Sequence, residues 1–212
     1  MTLAVQPSLF DEPATAPSLA PLAGRVERTR LSRGAWVDRV PGWLSGSDAV
    51  FEQLVQTVPW RAERRQMYDR EVDVPRLLRF YGEDDPLPHP LLDEARRLLS
   101  GHYGPELGEP FRTAGLCFYR DGRDSVAWHG DRIGRGRSQD TMVAILSLGD
   151  ARRLALRPHG GGAGQSLSFP AGHGDLLVMG GSCQRTWEHA VPKNTKPCGP
   201  RISVQFRPRG VL

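Results

Sequence analysis

The chain has 212 residues, enough for one domain with a substantial core but too few for two comfortable ones. Its 24 glycines and 18 prolines exceed the usual share, which argues against a helical bundle and favours a turn-rich, mostly β fold. The net charge of +4 comes from arginine, since the lysines are Lys193 and Lys196, and this mildly basic balance is compatible with nucleic acid without requiring it.

The cysteines and the N-terminus bear on the cellular compartment. Cys117, Cys183 and Cys198 form no CxxC pair and have no secretory context, so we expect reduced thiols. Residues 1–30 lack the basic and apolar regions of a signal peptide, and no apolar run approaches the length of a membrane span. We therefore expect a cytoplasmic protein that does not enter a membrane, and a monomer.

The first residues predict a flexible tail. Residues 1–24 are rich in Pro, Ala and Ser without a period, so a single domain is expected over 25–212. Within the tail, the segment from Gln6 to Phe10 resembles the Q-x-x-L-F peptide by which bacterial repair proteins bind the sliding clamp. The motif is short and degenerate, and an apolar stretch that arose by chance is the alternative.

Two helices are predicted in the N-terminal half. The segment from Ser47 to Val58 has a capping residue and an apolar face at helical spacing. The segment from Pro90 to Leu99 begins with a proline, and Gly101 follows its expected end. Strands are expected between Val26 and Val40 and from Arg76 to Gly82.

From Phe111 onward, short β-prone runs alternate with glycine-rich turns. These runs are Leu116–Tyr119, Thr141–Leu148, Arg153–Arg157, Ser166–Phe169, Asp175–Met179 and Arg201–Phe206. Several short strands separated by turns predict a sandwich or barrel, with the helices placed before a β-rich core.

A metal site is indicated by an H-x-D pair and a later histidine. His129 and Asp131 flank Gly130 at a predicted strand end, and side chains two apart on an extended backbone lie on one side. Two histidines and one carboxylate are the ligand set of non-haem iron(II) oxygenases. His189 supplies the second imidazole. Taken singly, either histidine could equally be a surface or core residue.

The last predicted strand presents Arg201, Ser203, Gln205 and Arg207 on one face. The two arginines are separated by about 20 Å along an ideal strand, so one small dicarboxylate cannot easily reach both. We expect one arginine to grip the distant carboxylate of 2-oxoglutarate and the other to lie nearer the metal. A solvated strand face is the alternative.

From residue 59 to residue 209 the chain resembles the AlkB family of iron(II)- and 2-oxoglutarate-dependent dioxygenases. The motifs that carry this resemblance are Tyr119-Arg120-Asp121-Gly122, His129-Gly130-Asp131, Ser147-Leu148-Gly149, Gly174 to Met179, Trp187-Glu188-His189 and Arg201 to Arg207. The resemblance implies a double-stranded β-helix (jelly roll) with flanking helices. It also implies oxidative removal of alkyl groups from nucleobases in DNA or RNA, with 2-oxoglutarate converted to succinate and CO2 and the alkyl carbon released as an aldehyde.

The resemblance also assigns roles at the co-substrate site. Tyr119 and Arg201 would bind the far carboxylate of 2-oxoglutarate, and Arg207 would lie near its keto-acid end. The family usually has asparagine where this chain has Cys117 and Ser203. Ser203 can donate one hydrogen bond and Cys117 only a weak one, so the co-substrate is expected to bind more weakly or in a different arrangement.

Many family members follow H-x-D with further acidic residues, but this chain continues from Arg132 to Arg137. Arg132, Arg135 and Arg137 are candidates for phosphate contacts on a flexible, basic segment. A solvated loop is the alternative.

By resemblance, residues 59–84 form a nucleotide-recognition lid ahead of a jelly-roll core at 111–209. A flipped base needs a stacking surface and a basic rim. The candidates for stacking and backbone contact are Met67, Tyr68, Arg76, Tyr81 and Trp128. An aromatic residue in a β-rich protein is otherwise a core residue.

Two other functions are compatible with these residues. One is an oxygenase of the same fold that hydroxylates or demethylates a protein or small molecule, which the missing acid after Asp131 favours. The other is a jelly-roll module that recognises lesions without catalysis, which the complete ligand set disfavours.

Overall fold

The computed structural model describes residues 16–67, 70–132, 134–161 and 163–211. The helices in this part of the chain are α1 (Ser47–Thr57), α2 (Pro90–Leu107) and the short α3 (Cys183–Thr186). The strands are β1 (Ser18–Leu19), β2 (Glu27–Arg30), β3 (Ala35–Val40), β4 (Leu44–Ser45), β5 (Arg61–Met67), β6 (Arg70–Tyr81), β7 (Thr113–Tyr119), β8 (Val126–His129), β9 (Val143–Gly149), β10 (Arg152–Pro158), β11 (Leu167–Ala171), β12 (Leu176–Gly181), β13 (Trp187–Val191) and β14 (Arg201–Arg207). The predicted mostly β class is confirmed.

Two antiparallel sheets form the body of the fold. The larger sheet has the strand order β2-β3-β12-β9-β14-β7-β6-β5, and the smaller has the order β11-β10-β13-β8. A two-stranded ladder of β1 and β4 lies apart from them. Two facing antiparallel sheets whose neighbours are distant in sequence form the jelly roll that the sequence predicted.

Strand β9 of the larger sheet is buried on both of its faces. Val143 and Ile145 pack in a cluster shared with residues of the smaller sheet. Ala144, Leu146 and Leu148 pack in a second cluster that includes residues of α1 and α2. Because side chains alternate along a strand, burial on both faces favours an apolar run, which in β9 is interrupted by the buried Ser147.

The helices follow the prediction in one case and exceed it in the other. Helix α1 occupies the predicted segment, but its N-cap is Gly46, and among the described residues no side chain makes the predicted capping hydrogen bond. The predicted end of α2 before Gly101 is wrong, because the helix continues to Leu107 and its C-cap, Gly108, adopts a φ of 82°. Tyr103 explains the extension, since it is 1% exposed and donates a hydrogen bond to Asp38 Oδ2 at 3.1 Å. Tertiary packing here outweighs the low helix propensity of glycine.

The expected order of elements along the chain, with the helices first and a β-rich core afterwards, is also wrong. Strand β3 pairs with β12, and β6 pairs with β7, so strands from the N-terminal half complete the larger sheet. Residues 59–84 contain the antiparallel pair β5 and β6, and both strands belong to the larger sheet, with β5 at its edge. No helix within the described residues is long and apolar enough to cross a membrane.

Candidate metal and co-substrate site

The three predicted metal ligands meet on the smaller sheet. His129 ends β8 and is the cross-strand partner of His189 on β13, and their ring centroids are 4.2 Å apart. Asp131 follows just after β8. One ligand atom from each residue lies within 4.8 Å of the others, so the triad can hold a single ion. Strand pairing thus brings together ligands that are far apart in sequence.

Hydrogen bonds orient the ligand atoms. His129 Nδ1 donates to Ala127 O at 2.9 Å, which leaves Nε2 free and 3.6 Å from Asp131 Oδ1. The other carboxylate oxygen, Asp131 Oδ2, accepts from Arg207 Nε at 2.9 Å. The backbone N–H of Asp131 donates to Gln184 Oε1 at 3.1 Å. Such supporting contacts fix ligand orientation and raise metal affinity.

The charge states of the two buried ligands suit a divalent cation. Burial raises the pKa of Asp131, but the charge of Arg207, with smaller effects of the two histidines, outweighs it and leaves the pKa at about 2. Burial and the neighbouring His129 lower the pKa of His189 to about 3. At neutral pH the site therefore offers an ionised carboxylate and a neutral imidazole, which are the forms that bind metal.

The predicted co-substrate residues share one face of the larger sheet. Strands β7 and β14 pair so that Tyr119 lies opposite Arg201 and Cys117 lies opposite Ser203. All four residues are buried. Tyr119 and Cys117 pack in the cluster between the two sheets, so this face is turned toward the metal ligands.

Arg201 is built to receive an anion. Its residue is 2% exposed, its Nε donates to Ser147 Oγ at 2.9 Å, and its Cζ lies 5.2 Å from the ring centroid of Tyr119. Its Nη1 is buried and has no hydrogen-bond partner among the described residues. Burial lowers the pKa of Arg201, a penalty that a bound carboxylate would offset. The residues present therefore fit the far carboxylate of 2-oxoglutarate.

Arg207 lies at the opposite end of β14, where it contacts the metal ligand Asp131. The structure thus places the two arginines at different ends of the site, as the strand length predicted. Between them, Gln205 Nε2 donates to Cys117 Sγ at 3.3 Å and to Ser203 Oγ at 3.1 Å. The sequence placed Gln205 on the arginine face without assigning it a role.

Sequence patterns indicated no role for two further residues that support the site. Ser147 stood in a recognised motif with no role, and Gln184 lies in the short helix α3, where no local pattern marks it. Burial reveals both, since Ser147 is 0% and Gln184 is 1% exposed. A buried polar side chain that bonds a charged site residue is the signal, and it becomes visible only in three dimensions.

The candidates for nucleic-acid contact fare unevenly. The prediction that Tyr81 stacks on a base is wrong. Tyr81 is 6% exposed and packs in the cluster that includes residues of α1 and α2, so its ring is not available to a base. Arg76 Nη1 donates to Ser125 O at 3.2 Å, and its Nε is buried. Trp128 lies beneath Arg157, whose Cζ is 4.4 Å from the ring, and Arg157 pairs with Glu188. Trp128 therefore faces away from the neighbouring His129.

The described part of the basic segment after Asp131 contains regular backbone structure. Arg135–Arg137 form a 3-10 turn, and Gly134 makes a β-bridge with Val211. Arg132 Nη2 lies 2.8 Å from His159 Nδ1 and 3.5 Å from Glu188 Oε1, so its guanidinium already has protein partners.

Arg137 is exposed and stays a candidate for phosphate contact. Several other predictions concern parts of the chain that the structure does not describe. They fall on the side chains of Met67 and Arg135, on Tyr68, and on the tail segment from Gln6 to Phe10.

Comparison with known proteins agrees with this geometry. Residues 81–207 match the model of the 2OG-Fe(II) oxygenase superfamily. The fold is similar to the solved structure of OsALKBH1, with a TM-score of 0.60 and 14% identity over 85% of this chain and 100% of that one.

Curated relatives show closer sequence similarity. The chain is 33% identical to the bovine alpha-ketoglutarate-dependent dioxygenase alkB homolog 3 over 80% of this chain and 66% of the relative. It is 31% identical to the mouse protein of the same name over 97% of this chain and 79% of the relative. Human DNA oxidative demethylase ALKBH2 is 27% identical over 76% of this chain and 68% of the relative. The chain therefore spans about two thirds of the bovine relative's length. These matches place the chain in the AlkB family of the 2OG-Fe(II) oxygenase superfamily.

Proposed function

We propose that this protein is an iron(II)- and 2-oxoglutarate-dependent dioxygenase that removes N-alkyl groups from nucleobases in nucleic acid. The observation that carries the proposal combines the two sheets. The smaller sheet holds a His-Asp-His triad, and the larger sheet carries a buried arginine whose Nη1 lacks a hydrogen-bond partner among the described residues. The resemblance to AlkB proteins supplies the substrate class, and the human relative named as a DNA oxidative demethylase supports it.

The protein's own residues define how the co-substrate is held. Arg201 and Tyr119 would bind its far carboxylate, and burial keeps the phenol of Tyr119 protonated by raising its pKa, so that it can donate a hydrogen bond. Arg207 holds Asp131 at the other end. When bound, iron with oxygen and 2-oxoglutarate supplies an oxidation that hydroxylates the N-alkyl carbon, yielding succinate, CO2 and an aldehyde.

The exposure of the ligands indicates the side of substrate entry. The side chain of His129 is 40% exposed, whereas that of Asp131 is 4% exposed. His189 is likewise buried, at 8%. The alkylated base would therefore approach from the His129 side, where the described residues leave the triad uncovered. Open positions opposite three protein ligands are what this chemistry requires.

Phe80 is the aromatic residue best placed to stack on a base. It is 47% exposed, and it lies on β6 directly opposite Gly115 of β7. A Cβ at Gly115 would lie 3.0 Å from Arg207 Nη1, so the Phe80 position borders the metal end of the site. Side chains of directly opposed residues share a face, which places Phe80 on the co-substrate side. We propose the β5–β6 hairpin, which carries Phe80, as the nucleotide-recognition lid.

The test is turnover with a defined substrate. Purified protein with iron(II), 2-oxoglutarate and ascorbate should demethylate single-stranded oligonucleotides that carry 1-methyladenine or 3-methylcytosine, and mass spectrometry reads the product. Succinate release should rise when the methylated oligonucleotide is added.

The matched control is His129→Ala, which should show neither product nor succinate. Succinate release without any demethylated oligonucleotide, in a protein that binds its metal, would remove the nucleobase assignment while keeping the oxygenase. Full turnover by His129→Ala would remove the metal assignment.

A further inference from the structure

Gln205 makes three hydrogen bonds that connect the two ends of the site. It lies between Ser203 and Arg207 on the same face of β14. Its Nε2 donates to Cys117 Sγ at 3.3 Å and to Ser203 Oγ at 3.1 Å. Its Oε1 accepts from Arg207 Nη2 at 3.2 Å. The side-chain amide of Gln205 therefore donates to two residues at the co-substrate site, Cys117 and Ser203, and accepts from Arg207 next to the metal ligands.

The chemistry of the partners fixes the orientation of this amide. Arginine can only donate hydrogen bonds, so the group of Gln205 that faces Arg207 must be the carbonyl oxygen. The amide nitrogen must then face the thiol of Cys117 and the hydroxyl of Ser203, both of which can accept. A flipped amide would set two donors against each other, so the network selects one rotamer.

The backbone around Gln205 leaves space for this arrangement. Gly115 is its cross-strand partner on β7. A Cβ at Gly115 would lie 3.0 Å from Arg207 Nη1 and 3.4 Å from Gln205 Oε1. A larger residue would press on the Gln205–Arg207 contact itself, so the glycine permits the pair to pack against the strand.

The contacts continue from Gln205 to the metal ligand. While Nη2 of Arg207 bonds Gln205, its Nε donates to Asp131 Oδ2 at 2.9 Å. Because that oxygen is occupied, Asp131 Oδ1, 3.6 Å from His129 Nε2, is the oxygen left for the ion. The position of the Arg207 guanidinium thus determines which carboxylate oxygen of Asp131 points into the triad.

We infer that Gln205 is a positioning residue that holds Arg207 against Asp131 and joins this metal carboxylate to the Cys117–Ser203 wall of the co-substrate pocket. Cys117 and Ser203 are buried, at 6% and 3% exposure, and the side-chain amide of Gln205 bonds to both of them. The inference concerns the metal and co-substrate only, so it stands whatever molecule is oxidised.

The experiment measures binding without turnover. Calorimetry with Mn(II) alone, and then with 2-oxoglutarate added to the Mn(II)-loaded protein, gives the two dissociation constants separately. Gln205→Met keeps similar length and removes every hydrogen bond of the amide. We expect Mn(II) to bind about 10-fold more weakly in this variant, which is the lower end for lost outer contacts of a metal ligand.

Gln205→Glu separates the two functions of the side chain. The carboxylate can still accept from Arg207, so Mn(II) affinity should stay within about 2-fold of the wild type. It cannot donate to Ser203 or Cys117, and it adds a negative charge near the co-substrate dianion. We therefore expect 2-oxoglutarate to bind more weakly by about 10-fold or more. Gln56→Ala, at an exposed position on α1, is the matched control and should change neither constant.

Two outcomes would overturn the inference. The first is a folded Gln205→Met variant that binds Mn(II) and 2-oxoglutarate as the wild type does, which would reduce Gln205 to a space-filling residue. The second outcome does not depend on the Met variant, which could fail to fold. It is a Gln205→Glu variant that binds Mn(II) much more weakly than the wild type while its affinity for 2-oxoglutarate is unchanged. Thermal unfolding of the metal-free proteins distinguishes loss of fold from loss of positioning.

Discussion

Arg201 and Tyr119 are cross-strand partners whose side chains meet in the interior, with the Arg201 Cζ 5.2 Å from the ring centroid of Tyr119. Ser147 holds one nitrogen of the same guanidinium at 2.9 Å. The arginine is thus fixed on two sides before any co-substrate binds. A preorganised fork suits a carboxylate because little side-chain freedom remains to be lost.

Arg201→Lys should raise the KM for 2-oxoglutarate roughly 10-fold or more, because an ammonium group cannot reproduce the bidentate contact. Affinity for the metal in the absence of co-substrate should change little, since Arg201 lies at the far end of β14. Steady-state succinate release and Mn(II) calorimetry measure the two effects. Arg153→Lys, at an exposed position on β10, is the control. An unchanged KM in Arg201→Lys would contradict the assignment of the far-carboxylate site.

Metal binding should stabilise the fold through the triad. At a free Mn(II) concentration near 100 times the dissociation constant, linkage predicts about 2.7 kcal/mol of extra stability. For a chain of this size the melting temperature should rise by roughly 5–10 °C. Scanning fluorimetry measures the shift, and a chelator should reverse it. Asp131→Ala should abolish the shift, and an equal shift in that variant would show that the ion binds elsewhere.

Phe80→Ala should lower kcat/KM on a methylated single-stranded oligonucleotide roughly 10-fold, since stacking on one base contributes about 1–3 kcal/mol. Phe80→Tyr should keep most of the activity because it keeps the ring. The KM for 2-oxoglutarate should stay the same in both variants. Leu167→Ala removes another exposed large apolar side chain, on β11 of the smaller sheet, and is the control. Equal losses in Phe80→Ala and Leu167→Ala would argue against a stacking role.

Leu146→Ala should destabilise the protein by about 2–5 kcal/mol, because Leu146 is 0% exposed in the core between the larger sheet and the helices. The Mn(II) affinity of the folded variant should be retained, since this face of β9 points away from the metal. Urea unfolding gives the change in stability. A loss below about 0.5 kcal/mol would mean that the core can repack around the missing side chain.

Asp124 should contribute to acid sensitivity. Burial raises its pKa, but the hydrogen bonds from Arg120, at 2.8 and 2.9 Å between the side chains, outweigh this and hold the pKa below its ordinary value. A carboxyl whose pKa is lowered by folding stabilises the fold at any pH above its ordinary pKa, near 3.9. This stabilisation is lost as the pH falls through the pKa of the folded state. The contribution should be under about 1 kcal/mol, since the Arg120 side chain is 55% exposed.

The Asp124 effect is measured by urea unfolding from pH 7 down to pH 3. Asp124→Asn should be slightly less stable than the wild type at pH 7, and the difference should shrink toward pH 3. A difference that grows as the pH falls would have the wrong sign for a carboxylate stabilised in its ionised form.

Much of the architecture follows from local sequence patterns. The apolar face after Ser47 predicts α1, and the later strands are predicted because short β-prone runs alternate with turns. The end of α2 was not predictable, because the interaction that extends the helix joins Tyr103 to Asp38 on a strand far away in sequence. The pairing of β6 with β7, which completes the larger sheet, is likewise a long-range contact with no local signal.

The sequence by itself determined the metal ligands and the two arginines, because a period of two along strands places His129 beside Asp131 and Arg201 on the same face as Arg207. Only the tertiary structure decided which neighbouring residues serve the site. Tyr81 and Phe80 are adjacent in sequence, yet helices cover the face that Tyr81 occupies while the face of Phe80 stays open. Gln205 gains its role from partners on a different strand and from Arg207, whose other nitrogen bonds a metal ligand. Burial and hydrogen bonding depend on which distant elements pack on each face, and a single strand's sequence does not contain that information.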